Sequence, residues 1–210
     1  MQLYHGMLGC YGKREWWPAD SAFEIAVGAV LTQNTNWTNV EKAIANLRQA
    51  KALSLEVLSV MPLASLVELI RPSGYYNIKA KRLSNLCRFL SDLGGLEVLA
   101  AMSIASARSA LLSVNGVGPE TADDILLYAL DRPVFVIDTY TRRLLSRHAL
   151  AKGDEAYDEL RLGFEAVLPA DTELFKQYHA LIVEHAKQAC RKKPVCEACG
   201  LQQTCLKKMI

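Results

Sequence analysis

Four cysteines crowd the last 21 residues of the chain in the pattern Cys190-x5-Cys196-x2-Cys199-x5-Cys205. That crowding specifies a metal site rather than a distributed disulfide framework. The spacing alone admits two occupants, because zinc accepts four thiolates as readily as an iron–sulfur cluster does. Upstream, Leu111-Leu112-Ser113-Val114-Asn115-Gly116-Val117-Gly118-Pro119-Glu120-Thr121-Ala122 reads as an apolar helix end, a Gly-x-Gly turn, and a second helix running through Tyr128. Gly116 and Gly118 let the backbone around Val117 turn tightly and approach a ligand, and the N–H groups of the next helix start favour a phosphate. The same glycines would also serve as an ordinary helix cap. One helix later, Val136-Ile137-Asp138-Thr139-Tyr140-Thr141-Arg142-Arg143 places Asp138 directly after an apolar run. An aspartate there can cap the next helix. It can equally be a fixed carboxylate that stabilises developing positive charge or activates a water.

These residues need a scaffold, and apolar spacing predicts a helical one. Helical periodicity covers Phe23–Thr32, Asn39–Gln49, Ser54–Val60, Leu63–Ile70 and Ile78–Asp92. Pro18, Pro62, Pro72, Gly74, Gly94-Gly95, Gly116, Gly118, Pro119 and Pro133 punctuate it. The one strand-like run, Val134–Ile137, is too short to build a sheet. An all-α fold of about ten helices follows, with residues 22–131 as one lobe and residues 1–21 plus 132–210 as the second.

The chain has 210 residues, 51% of them hydrophobic, enough to bury a core in one domain or two small lobes. A net charge of +2 says little about a nucleic-acid partner, so basic clusters have to carry that case. Arg71, Lys79, Lys81, Arg82 and Arg88 fall in a stretch with no acid, and Lys187, Arg191, Lys192, Lys193, Lys207 and Lys208 face Glu197 alone. Each run also fits a solvated helix face. No signal-peptide core or membrane-length apolar stretch is visible, and the cysteine usage suits a reducing, cytoplasmic setting such as a bacterial or archaeal nucleoid. Cys10 and Cys87 are expected to be buried small hydrophobes.

Hairpin, aspartate and cysteines together resemble the helix-hairpin-helix (HhH-GPD) DNA glycosylase superfamily in its endonuclease III-like branch. The resemblance runs from Leu31-Thr32-Gln33-Asn34-Thr35 through Arg71-Pro72-Ser73-Gly74-Tyr75-Tyr76-Asn77-Ile78-Lys79-Ala80 to the cysteines. It implies a six-helix barrel domain containing the hairpin (residues 111–128) and a second helical domain with a cluster loop at residues 190–205. It implies a monomer acting on double-stranded DNA that contains a damaged base. Asp138 matches the catalytic aspartate. Gly116, Val117, Gly118 and Thr121 match the backbone-gripping hairpin, and Gln33 matches the side chain inserted into the stack as the target base leaves. Cys190, Cys196, Cys199 and Cys205 match the ligands of a [4Fe-4S] cluster, with zinc the alternative. The first gap is one residue shorter than the family's usual one. Arg191, Lys192 and Lys193 match a basic loop against phosphates.

Glu120 stands where strand-nicking members carry the lysine that forms a Schiff base with the sugar. A glutamate cannot make an imine, which implies a monofunctional enzyme that leaves an abasic site. The Trp-Trp-Pro, Leu-Thr-Gln-Asn-Thr and Arg-Pro-Ser-Gly-Tyr-Tyr segments resemble those of bacterial 3-methyladenine glycosylases, whose aromatics at the positions of Trp16 or Trp17 and Trp37 sandwich an alkylated base. The best-known members of that subgroup lack the cysteine cluster. An alkylated purine is therefore the expected substrate. A bifunctional glycosylase/lyase acting on oxidised or mismatched bases, or a non-catalytic damaged-DNA-binding protein, is the alternative.

Overall fold

A computed structural model describes residues 1–14, 17–197 and 199–206. The described residues form twelve α-helices, one 3-10 turn and one π turn, and no strand. The all-α expectation holds, with two more helices than the spacing suggested; α1 and the six-residue α7 are not among the segments that periodicity picks out. The chain divides into two compact units, Ala19–Arg132 and the discontinuous pair Met1–Pro18 with Pro133–Ile210.

Unit Ala19–Arg132 holds α2 (Ala22–Leu31), α3 (Trp37–Gln49), α4 (Leu55–Val60), α5 (Leu63–Ile70), a 3-10 turn (Arg71–Ser73), α6 (Tyr76–Leu93), α7 (Leu96–Ala101), α8 (Ile104–Leu112) and α9 (Pro119–Asp124), which runs into a π turn (Ile125–Ala129). Side-chain oxygens of Ser21, Asn36, Ser54 and Ser103 accept the N-terminal N–H bonds of α2, α3, α4 and α8. Helix α2 is the hub: Ala26, Val27, Val30 and Leu31 are wholly buried, and it packs on α3, α6, α9 and the π turn. Its one buried acid, Glu24, is paired with Arg48 at 2.6 Å.

The other unit contains α1 (Gln2–Tyr11), α10 (Thr139–Arg147), α11 (Tyr157–Val167) and α12 (Thr172–Gln188). The run Val134–Ile137 is at most 1% exposed but is extended coil, not strand. Side chains stand in for a ladder partner: Glu165 accepts from the Phe135 N–H and the Tyr157 hydroxyl from the Ile137 N–H. Phe135 stacks on Phe164 at 4.0 Å and meets Phe175 and Tyr178 edge-on, which gives the coil an aromatic anchor. Helix α1, which contains Gly6 and Gly9, is not among the segments that apolar spacing predicts to be helical. A Cβ at Gly6 would lie 2.6 Å from Leu201, so the glycine is there for close approach.

Candidate active site

Asp138 is the N-cap of α10. Its Oδ1 accepts from the Thr141 N–H at 2.6 Å and the Thr141 hydroxyl at 2.8 Å, while Oδ2 lies 3.5 Å from Nε2 of the buried His179 on α12. Burial alone would push this carboxyl up. The His179 ring and charge and the two Thr141 bonds outweigh burial and hold its pKa below the ordinary aspartate value. Capping and a chemical role are therefore compatible, since the cap occupies one oxygen. His179 is the residue sequence reasoning missed, and its apolar flanks, Tyr178 and Ala180, gave no motif to find it by.

The hairpin forms where expected. Helices α8 and α9 are clamped by the Arg108 guanidinium, which donates through Nε at 2.7 Å to the fully buried Asp123. Between them Gly116 takes φ 99°, and a Cβ there would sit 2.2 Å from Arg82 Cγ, so only glycine fits. Gly118 differs: its φ is −92° and a Cβ would meet nothing within 4 Å. Its lack of a side chain is not required by the turn. No side chain caps α9, and Glu120 is exposed in its first turn.

Gln33, just beyond α2, donates from Nε2 to Gly116 O at 3.2 Å and to Thr121 Oγ1 at 2.9 Å. The structure thus joins three residues singled out separately. Val117 is buried, so the turn offers its backbone rather than that side chain. Tyr75 is another residue the motifs quoted but gave no role: it is 68% exposed with φ 47°, an aromatic held on strained backbone at the start of α6.

The basic run of α6 is not a uniform solvated face. Lys79 is 1% exposed, and its Nζ donates at 2.7 Å to both Leu31 O and Ser73 O. Desolvation, with Arg82 nearby, lowers its pKa to about 8. Of the tryptophans, Trp37 opens α3 half-buried, Trp17 is half-buried at φ 63° in the other unit, and Trp16 lies outside the described residues.

Cys190, Cys196, Cys199 and Cys205 line one pocket with Arg147, His148 and His185, and none is in a disulfide. Burial pushes the Cys199 thiol up, and the charges of the other three cysteines add to it. Among the described residues no three His, Cys, Asp or Glu side chains converge closely enough to hold one metal ion. Arg147 at the end of α10 donates to Cys190 Sγ at 3.0 Å and to the backbone carbonyls of Arg191 and Lys192. The exposed side chains of Arg191, Lys192 and Lys193 are thereby carried on a fixed loop. Cys87 is buried as expected, but Cys10 is exposed on α1, a surface position that its lack of a motif partner did not reveal.

Residues 27–170 match the model of the HhH-GPD superfamily base excision DNA repair proteins. A Methanocaldococcus jannaschii protein, provisionally named a DNA repair glycosylase, is 49% identical across 99% of this chain and 96% of its own length. The structure of H. pylori 3-methyladenine DNA glycosylase (MagIII) bound to 1,N6-ethenoadenine is 32% identical, with a TM-score of 0.76 over 89% of this chain and 96% of that one. An endonuclease III–DNA complex, 22% identical, shares the fold with a TM-score of 0.83 over 98% of this chain and 92% of that one. The buried aspartate beyond a glycine hairpin thus sits in a chain that belongs to the HhH-GPD superfamily of base excision DNA repair proteins and is a DNA repair glycosylase.

Proposed function

We propose that the chain is a monofunctional glycosylase that hydrolyses the N-glycosidic bond of a flipped alkylated purine such as 3-methyladenine and leaves an abasic site. The observation that carries this reading is the Asp138 carboxylate, kept ionised while only one of its oxygens serves the helix cap. As the C1′–N bond breaks, the bonding pair leaves with the base, and a fixed anion stabilises the positive charge left on the sugar. Water then adds to C1′, and its proton passes to the carboxylate and on to solvent. A purine already cationic from alkylation departs neutral and needs little acid assistance. Glu120 at the hairpin supplies no amine for an imine route.

Gly116, Val117, Gly118 and Thr121 would present hairpin backbone to a phosphate, and Arg191, Lys192 and Lys193 would add a second, charge-based grip. Gln33 would fill the gap left by the extruded base, with Tyr75 offering a flat ring to its neighbours. Trp16, Trp17 and Trp37 would supply aromatic faces for the cationic base, worth about 2 kcal/mol when desolvated. That the H. pylori relative was solved with a modified adenine supports this substrate class.

Cys190, Cys196, Cys199 and Cys205 would hold a [4Fe-4S] cluster, one thiolate to each iron, with zinc the alternative for four thiolates: all four line one pocket, and Arg147 donates to the Cys190 sulfur. Bound there, the cluster would pin the basic loop and offset the thiolate charges.

Single-turnover assays on duplexes with one defined lesion test the reading. Release of a methylated purine, with strand breaks only after alkali, is expected. Binding of the damaged duplex with no base released would replace the enzyme by a binding protein.

A further inference from the structure

Three polar side chains stand three residues apart along one face of α6: Lys79, Arg82 and Asn85. Each reaches a different part of the surface assigned above to DNA. Lys79 binds the carbonyls of Leu31 and Ser73, each two residues before a residue proposed above to meet the base stack, Gln33 and Tyr75. Arg82 Nη1 donates to Gln33 Oε1 at 2.5 Å, and Asn85 Nδ2 donates to Asn115 O at 3.0 Å.

Arg82 is the centre of this arrangement. A guanidinium can only donate and the Gly116 carbonyl can only accept. Gln33 between them therefore has one orientation, with Oε1 to Arg82 and Nε2 to Gly116 O and Thr121 Oγ1. The Arg82 stem also lies against Gly116, where an added Cβ would meet its Cγ, Cβ and Cδ at 2.2–3.0 Å. In a planar trans peptide the N–H opposes the C=O, so tying Asn115 O to α6 points the Gly116 N–H away from it.

We propose that Arg82 is a positioning residue of the base-excision reaction: it fixes Gln33 against the hairpin, so that the side chain filling the vacated stack and the backbone gripping the phosphate keep one register. This inference rests on the reading of Gln33 and the hairpin as DNA contacts. Arg82 acts through Gln33 and needs no contact of its own with DNA.

A double-mutant cycle tests it. Arg82→Gln retains the three carbons that pack on Gly116 but cannot reach Gln33, and Arg82→Lys restores a donor of nearly full length. Single-turnover rates at saturating enzyme, fluorescence of 2-aminopurine beside the lesion, and Tm are measured for these, for Gln33→Ala and for the double variant. Arg82→Gln is expected to lower the rate and the flipping signal roughly tenfold, the loss of one charge-assisted hydrogen bond, with Tm nearly unchanged and most of the loss recovered in Arg82→Lys. The double variant is expected to fall no further than Gln33→Ala. Gln33→Asn draws the carboxamide back by one methylene, out of reach of Arg82, and gives the same readout without disturbing α6. Additive losses, or weaker binding of undamaged DNA with a reduced salt slope, would make Arg82 a phosphate contact and overturn the proposal. A wild-type rate in Gln33→Ala would remove the reading of Gln33 beneath it and the proposal with it, while leaving the role of Asp138 untouched.

Discussion

Asp138 ties one carboxylate oxygen to Thr141 and turns the other toward His179, 3.5 Å away. The carboxylate that caps the helix is also the anion proposed to react, and this permits a clean separation of stability from chemistry. Asparagine caps a helix about as well as aspartate. Asp138→Asn should therefore fold with a Tm close to wild type while its single-turnover base release falls by at least about a hundredfold. Undiminished release would remove the carboxylate from the reaction.

The same contacts set a pH dependence. The folded pKa of Asp138 lies below the unfolded aspartate value of about 3.9, so its contribution to stability is full above that value and is lost as pH falls through the folded pKa. Measured against Asp138→Asn, the part of wild-type stability that comes from the Asp138 carboxylate should be lost only as pH falls below about 4. A difference that titrates above pH 5 would mean that burial prevails over His179 and Thr141.

The two hairpin glycines should separate in the opposite sense. Gly116→Ala meets both a φ of 99° and the Arg82 stem, and should cost about 1–3 kcal/mol of stability, read by denaturant unfolding. Gly118→Ala has room and ordinary backbone angles, so it should unfold like wild type. Weakened DNA binding without loss of stability in Gly118→Ala would show that a ligand, not the fold, needs that glycine.

Much of this was legible in the sequence, for identifiable reasons. Helices α2 to α6 follow apolar spacing that tertiary packing reinforces, and a Gly-x-Gly between two such helices has few other ways to fold. What stayed hidden depends on approach between segments distant in the chain. Gly6 looks like a breaker until Leu201 is seen against it. Lys79 looks like surface charge until two carbonyls 48 and 6 residues away turn out to be its partners. Gln33 and the hairpin were each suspected of touching DNA, but spacing cannot show that they touch each other.

Lys79 gives the sharpest stability test. Lys79→Met would leave the Leu31 and Ser73 carbonyls without this buried donor, at a cost of about 2–4 kcal/mol. The folded amine, with its pKa lowered to about 8, releases its proton before the unfolded one near 10.5 does. Between those values the unfolded state binds more protons, so wild type should gain stability relative to Lys79→Met as pH rises. Parallel curves for the two proteins would mean that the ammonium is as well solvated by its carbonyls as by water.

The cysteine pocket predicts colour. Purified protein should be brown and carry about four irons per chain, and Cys199→Ser should lose both together with part of its affinity for DNA, since the basic loop is built between the same thiols. A colourless protein with one zinc per chain would give the four thiolates to zinc and overturn the cluster.

The proposed hydrolytic reaction, without strand cleavage, rests on Glu120. It is exposed in the first turn of α9 and has no amine, so borohydride added during turnover should trap no protein–DNA adduct, and nicks should appear only after alkali. Lys79, whose amine has a lowered pKa, cannot substitute, because it is 1% exposed and held by two carbonyls. Glu120→Lys places an amine at the hairpin and should yield a trappable adduct while Asp138 stays in place. If wild type itself is trapped, the attached lysine, found by mass spectrometry of the adduct, would replace Glu120 as the residue that sets the reaction type.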